Sequence, residues 1–333
     1  MRKVSWGVLG VSKMAVDRTI PAMQLGKLSS IDAIASRDAA RAESCAKQLG
    51  IPKAFASYEA LLADPDIEAI YNPLPNNLHV AWTEQALAAG KHVLCEKPLG
   101  MTAKEAERLV EAQRRSGHLV MEAFMVRMNP QWLKVREIID SGRIGAVHAV
   151  NGVVTYNNPD PANIRNILDV GGGGIMDIGC YMAYFARFVF GAEPERVISL
   201  IDRDPKMRTD RIASVILRFA QGQASFVCST QLARAQRFQI LGTTGHVTVE
   251  VPINAPNDRP CRLVVDDGRD VLGSGAEVIE LPVCNQYTVQ GDVVSACIRG
   301  DKAPPVSLAD SLANMRVIDA IFRSEKSSGW EKP

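Results

Sequence analysis

Three side chains in the sequence could together move a proton: those of Lys97, Asp177 and Tyr181. Lys97 directly follows an apolar run that ends at Cys95, and a lysine in such a place is costly to bury without a purpose. Partial burial lowers the pKa of an ammonium towards the range useful for acid–base chemistry. Asp177 and Tyr181 have i, i+4 spacing, which places the carboxylate and the phenol on one helical face.

This constellation fits the oxidation of an alcohol. A nearby ammonium favours the phenolate, so Lys97 and Tyr181 could relay the proton that leaves when an alcohol gives up a hydride. Asp177 could bond a substrate hydroxyl or hold Lys97 in place. Glycines 171–174, just before it, would let a flat ligand approach the backbone. Pro98 fixes the turn after the lysine, and the sequence leaves open whether its peptide bond is cis or trans.

The same residues have ordinary structural explanations. Lys97 could be a surface lysine at the end of a strand. Asp177 could be a carboxylate favoured by a helix N-terminus, and Tyr181 a core aromatic.

A second group of residues has the pattern of a dinucleotide-binding turn. Gly10, Ser12 and Ala15 follow an apolar run and match G-x-G-x-x-A with serine as the second small residue, while Lys13 and Met14 lie between. Gly10 would make the turn, Ser12 would let backbone amides approach a pyrophosphate, and Ala15 would let helix and strand pack closely. The alternative is a turn of small residues that binds no nucleotide.

The next predicted strand ends in residues that bear on the choice of cofactor. An acidic residue there would bond the ribose of NAD, whereas Ser36 offers a hydroxyl and Arg37 a guanidinium suited to a phosphate dianion. Arg41, one helical turn later, supplies a possible second cation. The predicted cofactor is therefore NADP. NAD stays open, because both arginines could be solvated while Asp38 caps the helix or bonds the ribose.

The elements that must position these residues alternate in type over the first 125 residues. Helical patterns follow short apolar runs near Val4–Leu9, Ile31–Ser36, Ile67–Tyr71, His92–Cys95 and Leu119–Glu122. Such alternation predicts a doubly wound parallel sheet of the Rossmann type. Thr102 and Glu105 have the spacing of a capping box, and Gly117 is placed to end that helix.

Beyond about residue 145, longer alternating segments separated by turn residues predict a large, mostly antiparallel sheet. Helices are expected over 174–190 and around 308–323. The fold class is thus α/β plus α+β, with an NADP-binding domain over 1–125 and a substrate-binding and dimerisation domain over 126–333. An open-faced sheet with helices on one side needs a cover, so we expect a homodimer or homotetramer through this sheet.

Composition excludes several other classes of protein. The chain has 333 residues, is 47% hydrophobic and has a formal net charge of +1, which argues against disorder, nucleic-acid binding or an anionic membrane as main partner. No apolar run approaches a membrane span, and the short N-terminal one fits a buried strand better than a signal peptide. Seven scattered cysteines without C-x-x-C and five histidines without ligand spacing predict neither disulfides nor a metal, and favour the cytoplasm.

These motifs, in this order, resemble the glucose-fructose oxidoreductase/inositol dehydrogenase (Gfo/Idh/MocA) family. The resemblance spans almost the whole chain and rests on G-K-H-V-L-C-E-K-P at 90–98 and D-I-G-C-Y at 177–181, with L-P-N-N-L-H at 74–79 and E-A-F-M-V-R at 122–127. It is strongest to the NADP-dependent D-xylose dehydrogenases and dimeric trans-dihydrodiol dehydrogenases. It implies a Rossmann domain, a dimerising C-terminal sheet, and Lys97, Asp177 and Tyr181 as catalytic residues.

The resemblance also implies cofactor contacts. It assigns the nicotinamide-side loop to Leu74, Pro75, Asn76 and His79. It places Glu96 and Lys97 beside the nicotinamide and directs Arg127 towards the cofactor or substrate. Leu74 departs from the Thr or Ser of many members, and Tyr181 from the His of inositol dehydrogenases, which weakens an inositol assignment. Without the resemblance, His79 would be a residue of no special role at the start of a helix.

The sequence therefore predicts an NADP-dependent oxidoreductase. It would transfer a hydride between nicotinamide and the carbinol or carbonyl carbon of a small sugar, polyol or vicinal diol. An NADP-binding sensor without turnover is the alternative from another class, although a sensor has no need of a proton relay. A third possibility is a tightly held NADP that shuttles between two sugars.

Overall fold

A computed structural model describes residues 2–333 of the chain, which form two compact units. The first comprises the chain up to Met128 together with Asn285–Leu312, and the second comprises Asn129–Cys284 and Ala313–Pro333. The domain border predicted at residue 125 lies close to Met128, where the chain first passes from the first unit to the second. The predicted second range also contains Asn285–Leu312, a stretch that packs with the first unit instead.

The first unit is built on a six-stranded parallel sheet of order β3-β2-β1-β4-β5-β6. Its strands are β1 (Val4–Leu9), β2 (Ser29–Ala35), β3 (Lys53–Phe55), β4 (Ala69–Asn72), β5 (His92–Cys95) and β6 (Val120–Glu122). The Rossmann prediction is thereby confirmed. Among these strands only β3 differs from the sequence prediction, because its three residues are half-buried or exposed and show no apolar run.

Helices connect these strands. They are α1 (Ile20–Gln24), α2 (Ala39–Leu49), α3 (Tyr58–Leu62), α4 (His79–Ala88) and α5 (Ala103–Ser116). The predicted cap of α5 is present, since the Glu105 amide donates to the Thr102 hydroxyl at 3.1 Å and Gly117 is left-handed. The other half of the box differs: the Glu105 carboxylate accepts from the amide of Met101, one residue before the cap.

The returning stretch adds α8 (Gln286–Ile298) to the first unit. Val294 is fully buried in the core that contains Trp6, and the Trp6 indole donates to the Ser295 hydroxyl at 3.1 Å. The Asp292 carboxylate accepts from the amide of Leu28 at 2.8 Å, directly before β2. Burial of these groups accounts for the pairing of sequence-distant segments.

The second unit is built on an eight-stranded sheet of order β14-β13-β12-β11-β7-β10-β9-β8. All neighbours are antiparallel except β7 and β10. The strands are β7 (Val147–Asn157), β8 (Arg196–Arg203), β9 (Asp210–Phe219), β10 (Gly222–Ser229), β11 (Gln231–Gly242), β12 (His246–Val249), β13 (Cys261–Asp266) and β14 (Ala276–Leu281). The predicted mostly antiparallel sheet is confirmed.

Helices cover one face of this sheet: α6 (Pro130–Asp140), α7 (Cys180–Phe190) and α9 (Leu308–Ser327), the last of which starts in the first unit. Trp132 of α6 stacks on Phe185 of α7 at 3.9 Å between ring centroids, and both rings meet Phe238 of β11 edge-on. Along β9 burial alternates strictly from Ala213 to Phe219, so its other side chains face away from the helices. Within residues 2–333, none of the helices combines the length and apolar character that a membrane crossing requires.

At the amino end of β5, the titratable side chain of His92 contacts the ring of His118. The ring centroids are 4.8 Å apart, and Nδ1 of His92 accepts from the amide of Leu119 at 2.9 Å. Burial, aided by His118, lowers the pKa of His92 to about 4. Unfolding restores a pKa near 6.5, so the unfolded chain binds more protons between pH 4 and 6.5 and the free energy of unfolding falls as pH falls through that window.

The variant His92→Asn keeps an acceptor for the Leu119 amide and removes the titration. We expect it to flatten the pH dependence of stability between pH 4 and 6.5 by roughly 1–2 kcal/mol, a figure reduced for partial solvent screening. Urea unfolding at several pH values measures this, with exposed His148→Asn as the control. Superimposable profiles of His92→Asn and the unchanged protein would contradict the prediction.

Candidate active site

The turn after β1, from Gly10 to Ala15, is the predicted dinucleotide-binding turn and forms what we call the Gly10 cradle. Gly10 has φ +81°, and a Cβ there would lie 3.0 Å from the Leu74 side chain and 3.4 Å from the Tyr58 hydroxyl. Both the conformation and the space therefore require glycine. The Ser12 hydroxyl accepts from the amide of Ala15 at 3.2 Å at the start of a π-helical turn, Ala15–Thr19, that leads into α1. These features fit a dinucleotide pyrophosphate.

Two residues of this turn lie beside the cradle. Lys13 is largely exposed and pairs with Asp17 at 2.5 Å, while Met14 is half-buried.

The residues after β2 are arranged around the same turn. The Asp38 carboxylate accepts from the amide of Arg41 and so caps α2, one of the two roles that the sequence left open for it. The buried Ser36 hydroxyl accepts from the Asp38 amide at 3.1 Å, which leaves its own proton to donate. The Arg41 guanidinium donates to the carbonyl of Val11 at 2.8 Å, and Arg37, four positions earlier in the chain, is exposed. One guanidinium group thus lies at the turn after β1.

The loop after β4 is held by buried polar groups. The fully buried Asn72 donates to the carbonyl of His79 at 3.1 Å, and Leu74 is itself 7% exposed. Pro75 and Asn76 are half-buried. Nδ1 and Nε2 of His79 each lie 2.7 Å from a backbone carbonyl oxygen, so the structure places this ring inside the protein.

Lys97 follows β5, at the edge of the sheet where β1, β2 and β4 also end. Lys97 and Glu96 are half-buried, and the Lys97–Pro98 peptide bond is cis. The Glu96 carboxylate accepts from the Tyr71 hydroxyl at 2.8 Å and from the Lys97 amide at 3.3 Å. The buried Thr19 hydroxyl lies 3.1 Å from the hydroxyl of Tyr71. This contact helps to hold Tyr71 in the position from which it donates to Glu96.

Tyr287, which the sequence did not predict near these residues, lies at the start of α8 and is 7% exposed. Burial raises its pKa, the charge of Glu96 raises it further, and a hydrogen bond with Arg18 opposes the shift. No motif marks this tyrosine, because its place depends on the return of the chain to the first unit.

Arg127 lies in a 3-10 turn, Met125–Met128, after β6. Its guanidinium Nη1 is 3.5 Å from Oδ2 of Asp310, and both side chains are less than one third exposed. The ion pair fixes Arg127 near the end of the sheet that carries Lys97.

In the second unit, Asp177 is the centre of a polar cluster. It lies in a π-helical turn, Ile175–Gly179, that continues into α7. Its carboxylate accepts from the Tyr156 hydroxyl at 2.6 Å and pairs with Arg165 at 3.0 Å. Burial and the charge of Asp177 raise the pKa of Tyr156 well above its usual range, which keeps it a donor. Tyr181, on the first turn of α7, is 3% exposed, and its ring centroid lies 6.3 Å from that of Phe185.

The glycines before this turn accommodate the protein's own groups. A Cβ on Gly172 would lie 2.6 Å from the carbonyl oxygen of Arg165, and one on Gly173, at φ +127°, would overlap the Asp210 carboxylate. The Asp210 carboxylate accepts from the amide of Ile175 at 2.6 Å and so caps the turn that carries Asp177. Burial raises the pKa of Asp210 to about 7. Sequence reasoning missed Asp210, whose role depends on a contact with a distant segment.

Comparison with known proteins agrees with this architecture. Residues 4–124 match the model of the oxidoreductase family with an NAD-binding Rossmann fold, and residues 132–248 match the GFO/IDH/MocA C-terminal domain. The chain is 34% identical to the NADP(+) D-xylose 1-dehydrogenase 2 of Haloferax volcanii, over 97% of each chain. It is 32% identical to mouse trans-1,2-dihydrobenzene-1,2-diol dehydrogenase, over 92% of each.

Among solved structures, the 3-ketoreductase KijD10 of Actinomadura kijaniata, in complex with NADP and TDP-benzene, superimposes with a TM-score of 0.90 at 29% identity. The match covers 97% of this chain and 98% of that one. The fold, the Rossmann turn and these similarities over nearly the full length agree. The chain therefore belongs to the Gfo/Idh/MocA family of oxidoreductases.

Proposed function

We propose that this oxidoreductase uses NADP and acts on a carbinol or carbonyl carbon of a sugar, polyol or vicinal diol. One observation carries the proposal: the Gly10 cradle, the Arg41 guanidinium beside it and Lys97 occupy the same edge of one parallel sheet. Open parallel sheets bind their ligands at this edge, where the strand order reverses between β1 and β4.

Each part of the cofactor has a group to receive it. The turn of Gly10 and Ser12, flanked by Lys13 and Met14, would hold the pyrophosphate through backbone amides. The 2′-phosphate would meet the cluster formed by Ser36, Arg37 and Arg41. The nicotinamide end would lie along the loops that contain Leu74, Pro75, Asn76, His79, Glu96, Lys97 and Arg127. When bound, the nicotinamide supplies or accepts the hydride.

The chain's own residues would manage the proton and the substrate. Tyr181 takes the hydroxyl proton, and Lys97 favours the ionised phenol. Asp177 bonds a substrate hydroxyl. Tyr156 and Arg165 support this role, because they hold the carboxylate as an oriented acceptor.

The substrate class draws support from the relatives, whose names describe dehydrogenases of a sugar and of a vicinal diol. The polar residues around Asp177 suit such substrates, because hydroxyl groups can both donate to a carboxylate and accept from a guanidinium. The cysteines suit a reducing compartment, and we place the protein in the cytoplasm.

The proposal is tested by absorbance at the reduced-nicotinamide band. Purified protein is offered NADP⁺ or NAD⁺ with D-xylose, D-glucose, myo-inositol and a trans-dihydrodiol, and then NADPH with ketoses and dicarbonyls. Turnover with NADP(H) is the expected result. NADPH binding without turnover across the panel would favour a sensor, and a nicotinamide band in the purified protein would indicate a tightly held cofactor.

We further propose that the exposed face of the eight-stranded sheet joins two copies of the chain, as a homodimer or within a homotetramer. A groove at this sheet is lined by residues of β7, β8, β9 and β10 together with Glu325 and Ser328 at the end of α9. Leu200 is 76% exposed and Ile216 is 42% exposed, on the face opposite the helices. Apolar side chains exposed on a broad sheet favour a symmetric partner.

Leu200→Asp is expected to shift the protein towards monomer, because a carboxylate would be buried at the interface. Sedimentation velocity measures the shift. Leu25→Asp, at a side chain 77% exposed in the first unit, is the matched control and should leave the mass unchanged. A monomeric unsubstituted protein would contradict the proposal.

A further inference from the structure

His79 spans the two loops that the proposed function assigns to the nicotinamide and to Lys97. Its side chain is fully buried, with Nε2 2.7 Å from the carbonyl oxygen of Leu74 and Nδ1 2.7 Å from that of Pro98. Leu74 belongs to the loop after β4, and Pro98 directly follows Lys97 after β5. One rigid ring therefore connects loops from neighbouring strands.

The ring holds a single proton for two acceptors. Burial lowers the pKa of His79 to about 4, although the hydrogen bonds to the carbonyl groups of Pro98 and Leu74 oppose the shift, so the imidazole is neutral at pH 7. A neutral imidazole has one N–H donor. With the proton on Nδ1 the ring donates to Pro98, and with the proton on Nε2 it donates to Leu74.

The rest of the residue is fixed. The side-chain amide of the fully buried Asn72 donates to the carbonyl of His79 at 3.1 Å and to the hydroxyl of Thr83 at 3.2 Å. Asn72 is the last residue of β4, so the backbone of His79 is tied to the sheet. The ring of His79 therefore extends from a backbone that is held to the end of β4.

We infer that His79 is a positioning residue that couples the placement of Lys97 to the placement of the nicotinamide-side loop. The inference rests on the proposed function and assigns the ring a task inside the protein, through two backbone carbonyl groups.

Two substitutions separate the two halves of this connection. The amide nitrogen of asparagine can occupy the place of Nδ1, so His79→Asn keeps a donor towards Pro98. The amide nitrogen of glutamine reaches the place of Nε2, so His79→Gln keeps a donor towards Leu74. Each variant thus fixes the donor on one side and prevents the hydrogen bond that the other tautomer of the ring would make. A buried hydrogen bond that can no longer form corresponds to an effect of about 5- to 150-fold.

We expect opposite consequences in the two variants. His79→Asn should raise the NADPH dissociation constant about tenfold and leave kcat within about threefold. His79→Gln should lower kcat by about 10- to 100-fold and leave NADPH affinity within about threefold. Calorimetry gives the affinity, and steady-state kinetics with the substrate found by the panel gives kcat.

His92→Asn is the matched control, since it removes a partly buried imidazole, also of lowered pKa, from the opposite end of the same sheet. It should change neither quantity by more than about twofold. Equal losses of affinity and kcat in both His79 variants would indicate that the ring only packs in the core, and would overturn the inference. No change in either variant would overturn it as well.

A measurement on the unsubstituted protein tests the same inference and does not depend on whether a variant folds. Nitrogen-15 NMR of the His79 ring reports which nitrogen carries the proton, and addition of NADPH is expected to move protonation between Nδ1 and Nε2. A ring unchanged by bound NADPH would overturn this inference alone. Failure of NADPH to bind at all would refute the proposed function, and this inference with it.

Discussion

Lys97→Met is expected to lower kcat by about 10²- to 10⁴-fold, because it removes the ammonium while keeping the length of the side chain. Affinity for NADPH should stay within about threefold, since the cradle around Gly10 and the arginines after β2 are untouched. A large fall in kcat at nearly constant cofactor affinity is the sign of an interaction made in the transition state. Stopped-flow single turnover with the identified substrate separates the chemical step from cofactor release.

Two further variants sharpen this result. Lys97→Arg keeps a positive charge but holds its proton at every working pH, so it should fold, bind NADPH and still turn over slowly. Lys47→Met, on the exposed face of α2, removes a lysine of the same kind and should match the unsubstituted enzyme. Full turnover by Lys97→Met would show that the lysine has no part in the chemistry.

The double variant Arg37→Ala/Arg41→Ala is expected to raise the KM for NADP⁺ by about 10²- to 10⁴-fold, because it removes two charge-assisted contacts to the 2′-phosphate. The KM for NAD⁺, which lacks that phosphate, should change by no more than about threefold. Arg41 should contribute the more rigid contact, since its guanidinium already donates to the carbonyl of Val11. Steady-state kinetics with both cofactors at low and moderate salt measures the change.

The control for charge is Lys47→Ala, which removes a cation from the same helix at a distance from the turn. It should alter neither KM. Equal losses for NADP⁺ and NAD⁺ in the double variant would indicate damage to the turn, and unchanged kinetics would place the phosphate elsewhere.

The local sequence pattern was sufficient to predict an element where the burial of its residues follows one regular pattern from end to end. Buried parallel strands appear in sequence as short apolar runs, which is why β1 and β5 were predicted with the bounds that the structure shows. Helix α8 was missed for the opposite reason: it contains Gly291 and several β-branched residues, which weaken helical propensity. A Cβ on Gly291 would lie 2.9 Å from the Met23 side chain, so that glycine serves close packing on α1.

The residues of the candidate site show the same difference between local patterns and contacts of distant segments. Residues at strand ends were predictable, because parallel strands bring their carboxyl ends to one edge wherever the loops lead. The contact of Tyr156 and Arg165 with Asp177 and the cap formed by Asp210 depend on segments that no short pattern connects. Glycines 171–174 illustrate the limit: their sequence suggested space for a ligand, and the carbonyl of Arg165 and the carboxylate of Asp210 lie against them.

The return of the chain to the first unit sets an order of events during biosynthesis. Trp6 and Ser295, which hydrogen-bond in the finished protein, are separated by 289 positions. Translation must therefore pass residue 295 before the first unit can close its core around Val294. Until then, residues 4–128 carry the nucleotide turn without α8, the helix that completes the core of the first unit. A fragment that stops at Met128 would leave the indole of Trp6 without the Ser295 hydroxyl and its core without Val294, so we expect it to be less stable than the complete first unit.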